Sequence, residues 1–298
     1  MLRFTTTVFL SFVCVILPQR LAAQERADTT TQDSLHTHVL RARDGSSFIG
    51  RVVAETPDSV RFESNGTIFT LARAQIADLH KIERGQLRDG QYWSPDPNRT
   101  RLFFAPTARM LARGEGYFSD TYILLVTVAG GVSSNFTMGG GMSLIPSTNP
   151  QNNIFFLTPK IGLIERPDFG LAAGALVGFA GFEDIERRDR SFGILYGVGS
   201  FGSSDNHLDV GAGWGYAGGS VSGDPAIMVG GATRVGRRVS LLTENYFVPS
   251  VSENGLISYG LRIFGEKLSV DLAFANAVGP NTTLLFPGVP YVAFAVKF

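Results

Sequence analysis

The sequence predicts an all-β chain whose larger part closes into a transmembrane antiparallel barrel of about twelve strands, and three observations carry that expectation. The chain ends Pro290-Tyr-Val-Ala-Phe-Ala-Val-Lys-Phe298, with Val292, Phe294, Val296 and Phe298 in one apolar row and Tyr291, Ala293, Ala295 and Lys297 behind it. From residue 101 onward, segments of strand length recur with connections that alternate short and long. Beyond Ala23 no apolar run approaches the roughly 20 residues of a spanning helix, whereas the second half is rich in Phe, Val, Ile and Tyr and the chain holds 35 glycines, which suits many strands and a curved wall.

In chain order, Met1-Leu2-Arg3, the uncharged run Phe4 to Leu17 and the small residues Ala22 and Ala23 have the layout of a secretory signal peptide over 1–23. The one cysteine, Cys14, lies inside that run after Val13, without the small residue that lipid attachment wants. The mature chain therefore has neither a disulfide scaffold nor a Cys-ligated metal. Residues 24–35 are polar and patternless and read as a flexible leader. With 26 basic and 26 acidic residues the net charge is zero, so no electrostatic case for nucleic acid arises.

Residues 36–85 change texture to five short candidate strands, Thr37 to Arg41, Ser47 to Glu55, Ser59 to Ser64, Thr67 to Ala72 and Ile76 to Ile82. Asp44-Gly45, Pro57-Asp58 and Asn65-Gly66 supply turns between them. With a bend at Gly50, this small β-domain resembles an SH3-like or Sm-like barrel. Exported by the signal peptide, it is expected to be a periplasmic spacer or docking module, with a periplasmic protein or peptidoglycan as partner.

Residues 86–100, with Asp89-Gly90 and Pro95-Asp96-Pro97, have loop chemistry and mark a linker. The barrel is expected over 101–298, with strands at Arg101 to Ala105, Thr121 to Gly131, Phe136 to Ile145, Ile154 to Ile164, Gly170 to Phe182, Ser191 to Phe201, His207 to Ala217, Ala226 to Val235, Val239 to Val248, Leu256 to Phe264, Leu268 to Ala277 and Pro290 to Phe298. Tight connections follow the even strands (Val132 to Asn135, Glu165 to Phe169, Gly202 to Asn206, Gly236 to Arg238, Gly265 to Lys267), and mostly longer ones follow the odd strands. Short turns facing the periplasm would place both barrel ends there and require an even strand number. The first strand is short, and Gly114-Glu115-Gly116-Tyr117-Phe118 competes with it.

Several strands offer one oily and one nearly bare face. Leu208, Val210, Ala212, Trp214 and Tyr216 alternate with Asp209, Gly211, Gly213 and Gly215, and Phe192, Ile194, Tyr196 and Val198 alternate with Gly193, Leu195, Gly197 and Gly199. On three successive strands Glu244, Arg262 and Asp271 share the parity opposite to the oily row, which places them in the lumen, because Arg or Lys on the lipid face near mid-membrane costs roughly 2–4 kcal/mol. Two readings stand: a neutralised network bracing neighbouring strands, or, with Lys160, Asp209 and Arg234, a charged lining that sets the field of a pore or binds a polar solute.

No catalytic constellation is expected. After Leu87 the chain has one histidine, His207, next to a tight turn, while His36, His38 and His80 lie in the small domain. The acidic residues Glu183, Asp184, Glu186 and Asp189 are interleaved with Arg187, Arg188 and Arg190, which argues against calcium. Gly139-Gly140-Gly141 and Gly197 to Gly202 carry no phosphate-loop Lys-Ser/Thr, so no nucleotide, metal or other cofactor is expected.

Signal peptide, terminal strand and repeated wall together resemble the Gram-negative outer-membrane β-barrel proteins. The resemblance implies residence in outer-membrane lipid and insertion by the barrel-assembly machinery through a terminal signal of Tyr291, Val292, Phe294, Val296 and Phe298. Porins of this size imply passive diffusion of small solutes as the first functional expectation. The alternative is a non-conducting anchor that presents the small module to a partner.

Overall fold

The computed structural model describes residues 37–82, 85–144, 153–180, 191–248, 255–279 and 285–298. The expected signal peptide, leader and acidic loop lie outside them. The chain divides into two compact units, 1–82 and 83–298.

The first unit is a five-stranded antiparallel sheet of β1 (His38–Ala42), β2 (Ser47–Glu55), β3 (Ser59–Ser64), β4 (Thr67–Ala72) and β5 (Ile76–Lys81), in the order β4-β3-β2-β1-β5. Asn65 and Gly66 both have positive φ, 49° and 78°, the backbone a two-residue hairpin turn requires. Leu40, Val60, Phe62 and Ile76 form its buried core, and Gly50 is bare because a side chain there would collide with the Glu63 carbonyl.

The second unit opens with a two-stranded hairpin, β6 (Leu87–Arg88) and β7 (Gln91–Tyr92), and then forms a closed antiparallel barrel. Its staves are β8 (Gly116–Thr121), β9 (Leu125–Ser133), β10 (Phe136–Ser143), β11 (Ile154–Leu157) with β12 (Lys160–Glu165), β13 (Phe169–Ala180), β14 (Ser191–Gly202), β15 (Asn206–Ala217), β17 (Ala226–Gly236), β18 (Val239–Phe247), β19 (Gly255–Phe264), β20 (Leu268–Val278) and β21 (Val289–Lys297), with a short β16 (Ser220–Val221) beside β15. β11 and β12 are two halves of one stave interrupted at Thr158-Pro159, where proline has no N–H to give, so the wall has twelve staves. It closes where β21 pairs with β8, Ala293 opposite Thr121 and Lys297 opposite Tyr117. Gly116 and Phe298 then exchange both backbone hydrogen bonds.

Two expectations about the start of this unit are corrected. Arg101–Ala105 is not a wall strand; Gly116–Thr121 takes that place between β21 and β9. Leu102-Phe103-Phe104 is apolar on successive residues, with Leu102 and Phe103 buried and Phe104 opening onto a cavity, which suits a segment inside the lumen better than a strand with one bare face. The expected linker, 86–100, also belongs to the barrel unit: Ser94, Asn98 and Thr100 are buried.

Residues 94–112 run inside the lumen. Their centre is a tight hairpin in which Thr107 N–H donates to Thr100 O, Arg101 bridges Pro106, and Leu102 N–H donates to Ala105 O. Leu102, Phe103, Ala105 and Ala108 share one core with the inward residues Ala172, Val198, Met228, Leu242, Ala273, Tyr291 and Ala293 of the wall. The bare inner face is what admits the hairpin. A side chain at Gly230 would meet Leu102 Cδ1 at 2.6 Å, and one at Gly162 would meet Met110 Cγ at 2.8 Å. Space that wall glycines open to a pore is thus filled by the chain itself.

Outside, the wall is oily: Leu163, Leu195, Leu241, Leu272 and Val292 are all exposed. Phe155, Phe179 and Phe247 lie toward the rim of the longer connections, and the ring pair Phe169 and Phe201, 5.2 Å apart, at the rim of the tight turns. Such paired aromatic rims flank the hydrocarbon band of a membrane barrel. One face assignment is inverted. On β14 the row Phe192, Ile194, Tyr196 and Val198 points inward, while Leu195 and Phe201 point out. Ser200 stands opposite Asp209 in the β14–β15 register, and the two share the inner face, which fixes the parity of the whole strand.

If that outer face touches hydrocarbon, Leu272→Arg at mid-strand lowers folding stability by about 2–4 kcal/mol. Urea unfolding in phospholipid vesicles measures it, and a variant within about 0.5 kcal/mol of wild type would be the typical result for a water-exposed surface.

Candidate functional site

The lumen charges expected from parity are all buried on the inner face, and three of them bind the hairpin backbone. Glu244, on β18, is 1% exposed and has no basic partner among the described residues. Instead Phe103, Phe104 and Ala105 donate their N–H groups to its Oε2 at 2.8, 3.0 and 3.1 Å, and the Tyr246 hydroxyl donates to Oε1 at 2.7 Å. Three consecutive amides around one carboxylate form an anion-binding concavity turned inside out, with the protein supplying its own anion.

Arg262, on β19, serves the other side of the same hairpin. Its Nε and Nη2 grip Asp271 on β20 at 2.6 and 2.9 Å, a two-pronged pair. Nη1 donates to Asp96 Oδ2 and Asn98 O, both at 2.9 Å, and Nη2 also donates to Leu102 O at 2.7 Å. The Tyr291 hydroxyl donates to Phe103 O at 3.0 Å. Lys160, across the barrel on β12, donates from Nζ to Arg109 O at 2.7 Å, Thr107 O at 3.1 Å and Thr100 O at 3.3 Å. Each contact replaces a hydrogen bond that a buried backbone group loses on leaving water.

Asp209 and Arg234 complete the set. Asp209 accepts from the Ser200 hydroxyl and lies 2.7 Å from His207 Nδ1, while Ala108 N–H donates to Ser200 Oγ. Asp209 stands between serine and histidine, so the hydroxyl meets the carboxylate and not the imidazole, and the trio does not have the order of a nucleophilic triad. Arg234 pairs with Asp205 at 3.0 Å and lies between the rings of Trp93 and Phe264, each 4.9 Å from its centre. Arg88 reaches the same Asp205 at 2.5 Å and covers the other part of the Trp93 environment at 4.5 Å. This cluster holds the chain where it enters the lumen.

On leaving, the chain is held by Glu115, which accepts from Lys297 Nζ at 2.7 Å, Ala112 N–H at 2.8 Å and Arg99 Nη2 at 2.9 Å. Burial alone would raise this carboxyl, but the Lys297 hydrogen bond, the Ala112 amide and Arg99 together bring it down to about 2. Tyr246 was expected among the groups that fill the lumen, whereas the residues that sequence reasoning missed are Glu115, Asp96 and the hairpin itself. A signal for the last was present: an apolar tetrad, Leu102 to Ala105, flanked by Arg99, Arg101 and Arg109.

Of the expected terminal signal, Val292, Phe294, Val296 and Phe298 face out, whereas Tyr291 faces in against the hairpin, its ring 5.4 Å from Phe103.

Above the hairpin, toward the longer connections, the lumen keeps a cavity of about 490 Å³. Phe104, Phe156, Ile194, Tyr196 and Met228 line it, together with Arg101 and Lys160.

No protein-family model matches the sequence, and no curated protein does. Among solved structures the chain is similar to the NanC porin (7% identity, TM-score 0.37, covering 61% of this chain and 97% of that one). It is also similar to OmpT of Vibrio cholerae (12%, 0.32, 89% and 95%) and to Salmonella typhi OmpF in complex with daunomycin (10%, 0.34, 88% and 95%). At TM-scores below 0.5 these likenesses carry no argument about this chain, whose barrel rests on its own strand pairing.

Removing Arg262 strands Asp271 and Asp96 beside unsatisfied carbonyls, so Arg262→Ala costs about 3–5 kcal/mol of folding stability. Equilibrium unfolding of the full chain reads this directly, and Arg262→Ala combined with Asp271→Ala costs less than the two singles summed. Glu115 gives a pH dependence. Its folded-state value lies below the ordinary 4.5, so its stabilising contribution is complete above that pH and disappears as pH falls toward about 2. Amide exchange at Gly116, corrected for the intrinsic rate, accelerates across that window in wild type, and the step is absent in Glu115→Gln.

Proposed function

We propose that this chain is a plugged outer-membrane barrel of a Gram-negative bacterium, closed at rest, which anchors the small β-module of residues 36–85 on its periplasmic side. The oily belt between aromatic rims supports the membrane location, and the tight-turn rim supports the orientation. One observation carries the closed state: the hairpin of residues 98–107 is bound through its backbone by Lys160, Glu244 and Arg262 from different sides of the wall. Three of the lumen charges act on that backbone rather than on a passing solute.

The module, whose sheet runs β4-β3-β2-β1-β5, serves in this reading as an SH3-like docking element for a periplasmic protein or for peptidoglycan. Insertion uses the barrel-assembly machinery, which reads the outward Val292, Phe294, Val296 and Phe298. No catalytic step is assigned to the chain.

A passive pore is the second reading, favoured by the cavity that remains above the hairpin. Conductance separates the two. Purified wild-type protein in a planar bilayer is expected to be electrically silent, whereas Glu244→Ala with Arg262→Ala, which unfastens the hairpin tip, is expected to give long-lived openings. The doubly substituted barrel must keep its strand circular-dichroism signal. Steady current through the wild type would overturn the closed reading in favour of the pore.

A further inference from the structure

We propose that the cavity above the hairpin is a binding site for a single-chain carboxylic acid, an anionic amphiphile with its head on Arg101 and its alkyl chain along the inward face of β14. At about 490 Å³ it falls within the roughly 300–1,000 Å³ of small-molecule sites. Its walls are unusual for a polar solute path. Phe192, Ile194, Tyr196 and Val198 project into it because the parity of β14 is the reverse of what the oily row would suggest. Their bulk lies over bare neighbours: a side chain at Gly174 would meet the Tyr196 hydroxyl at 2.4 Å, and one at Gly213 the Ile194 Cδ1 at 2.5 Å. The result is a smooth hydrocarbon surface facing inward, on a barrel that already turns one outward.

The charge of the site favours an anion. Two cationic side chains, Arg101 and Lys160, line the cavity, and among the described residues no carboxylate does. Lys160 spends its ammonium group on the three hairpin carbonyls described above. Arg101 does not spend all of its own: Nε donates to Asn98 Oδ1 at 3.1 Å and the guanidinium lies 5.8 Å from the centre of the Tyr117 ring, but Nη2 is buried with no hydrogen-bond partner among the described residues. Thr137, 5% exposed and also lining the cavity, has a hydroxyl in the same condition. A buried guanidinium N–H and a buried hydroxyl left open are costly unless something answers them. A carboxylate on Arg101 supplies the acceptor that the guanidinium lacks, and the chain behind it replaces water on the β14 row. Charge alone admits any small anion, and wall chemistry alone any oil. Only a molecule with both satisfies the two together.

The inference needs the walled cavity and not the absence of current, so its test and the conductance measurement fail separately. The full chain in phospholipid nanodiscs, at mildly alkaline pH, is titrated with dansyl-undecanoate as a fluorescent probe and with dodecanoate or dodecanol as competitors. Empty nanodiscs give the partitioning background. Saturable binding of one probe per barrel is expected, with dodecanoate displacing it at concentrations about tenfold or more below those of dodecanol. Arg101→Gln is expected to erase that preference while leaving the dodecanol value in place, and Arg101→Lys to keep most of it. Ile194→Asp is expected to weaken both competitors. Equal displacement by acid and alcohol in the wild type, or a signal no greater than that of empty nanodiscs, overturns the proposal whatever the variants do.

Discussion

A peptide chain buried inside a closed wall has no free strand edge beside it, so its amides and carbonyls must be satisfied by side chains. That requirement governs the lumen of this protein. Staves of the barrel bond to one another and have no backbone capacity to spare. The hairpin of residues 98–107 makes a few bonds across itself and turns its remaining groups outward. Glu244 answers three amides; Arg262 and Lys160 answer carbonyls at both margins. Acid therefore meets N–H and base meets C=O, the pairing of sign that makes charge-assisted bonds strong. A plug held by apolar packing alone would strand these groups at roughly 1–3 kcal/mol each.

The same requirement explains why the wall is so bare. Inner-face glycines at 162, 170 and 230 let Met110, Ala108 and Leu102 lie directly on the sheet, which brings the hairpin backbone within reach of Ser200, opposite Gly170, and Glu244, opposite Gly230. Two demands act on this wall at once. Outside it presents Leu163, Leu241 and Leu272, the residues a hydrocarbon surround would select, while inside a second core, built on Phe103 and Tyr291, selects for close fit. An oily outer surface and burial by a plug therefore produce similar compositions on opposite faces.

That similarity marks the limit of what was legible in the sequence. Strand positions could be read, because period-2 alternation and turn residues such as Asn65-Gly66 are local signals, and eleven expected wall strands coincide in place with observed ones. The inward parity of Glu244, Arg262 and Asp271 could also be read, since an unpaired charge on the lipid face is costly. The sign of an uncharged strand could not. On β14 alternation divides Phe192, Ile194, Tyr196 and Val198 from their neighbours without saying which side is wet, and only the register that sets Ser200 against Asp209 decides it. Leu102-Phe103-Phe104-Ala105 was ambiguous for a related reason: a short apolar run is compatible with a wall strand or an internal core. Its partners lie more than a hundred residues away at Glu244 and Arg262, beyond any local pattern.

The lumen is divided between two kinds of recognition, and the division follows the strands. Toward the tight turns, β14 presents Ser200 and β19 presents Arg262, and near mid-strand β18 presents Glu244, each with directional bonds. Toward the longer connections, β14 changes to Val198, Tyr196 and Ile194, and direction gives way to surface. Directional bonds to backbone specify a seat: sliding the hairpin by one residue in one direction would bring Pro106, which has no N–H, to Glu244 in place of an amide. An apolar wall has no such register and tolerates sliding. The half that must hold one segment in one place is therefore built from charge against backbone, and the half that remains open is built from side chains that accept whatever apolar shape fills it.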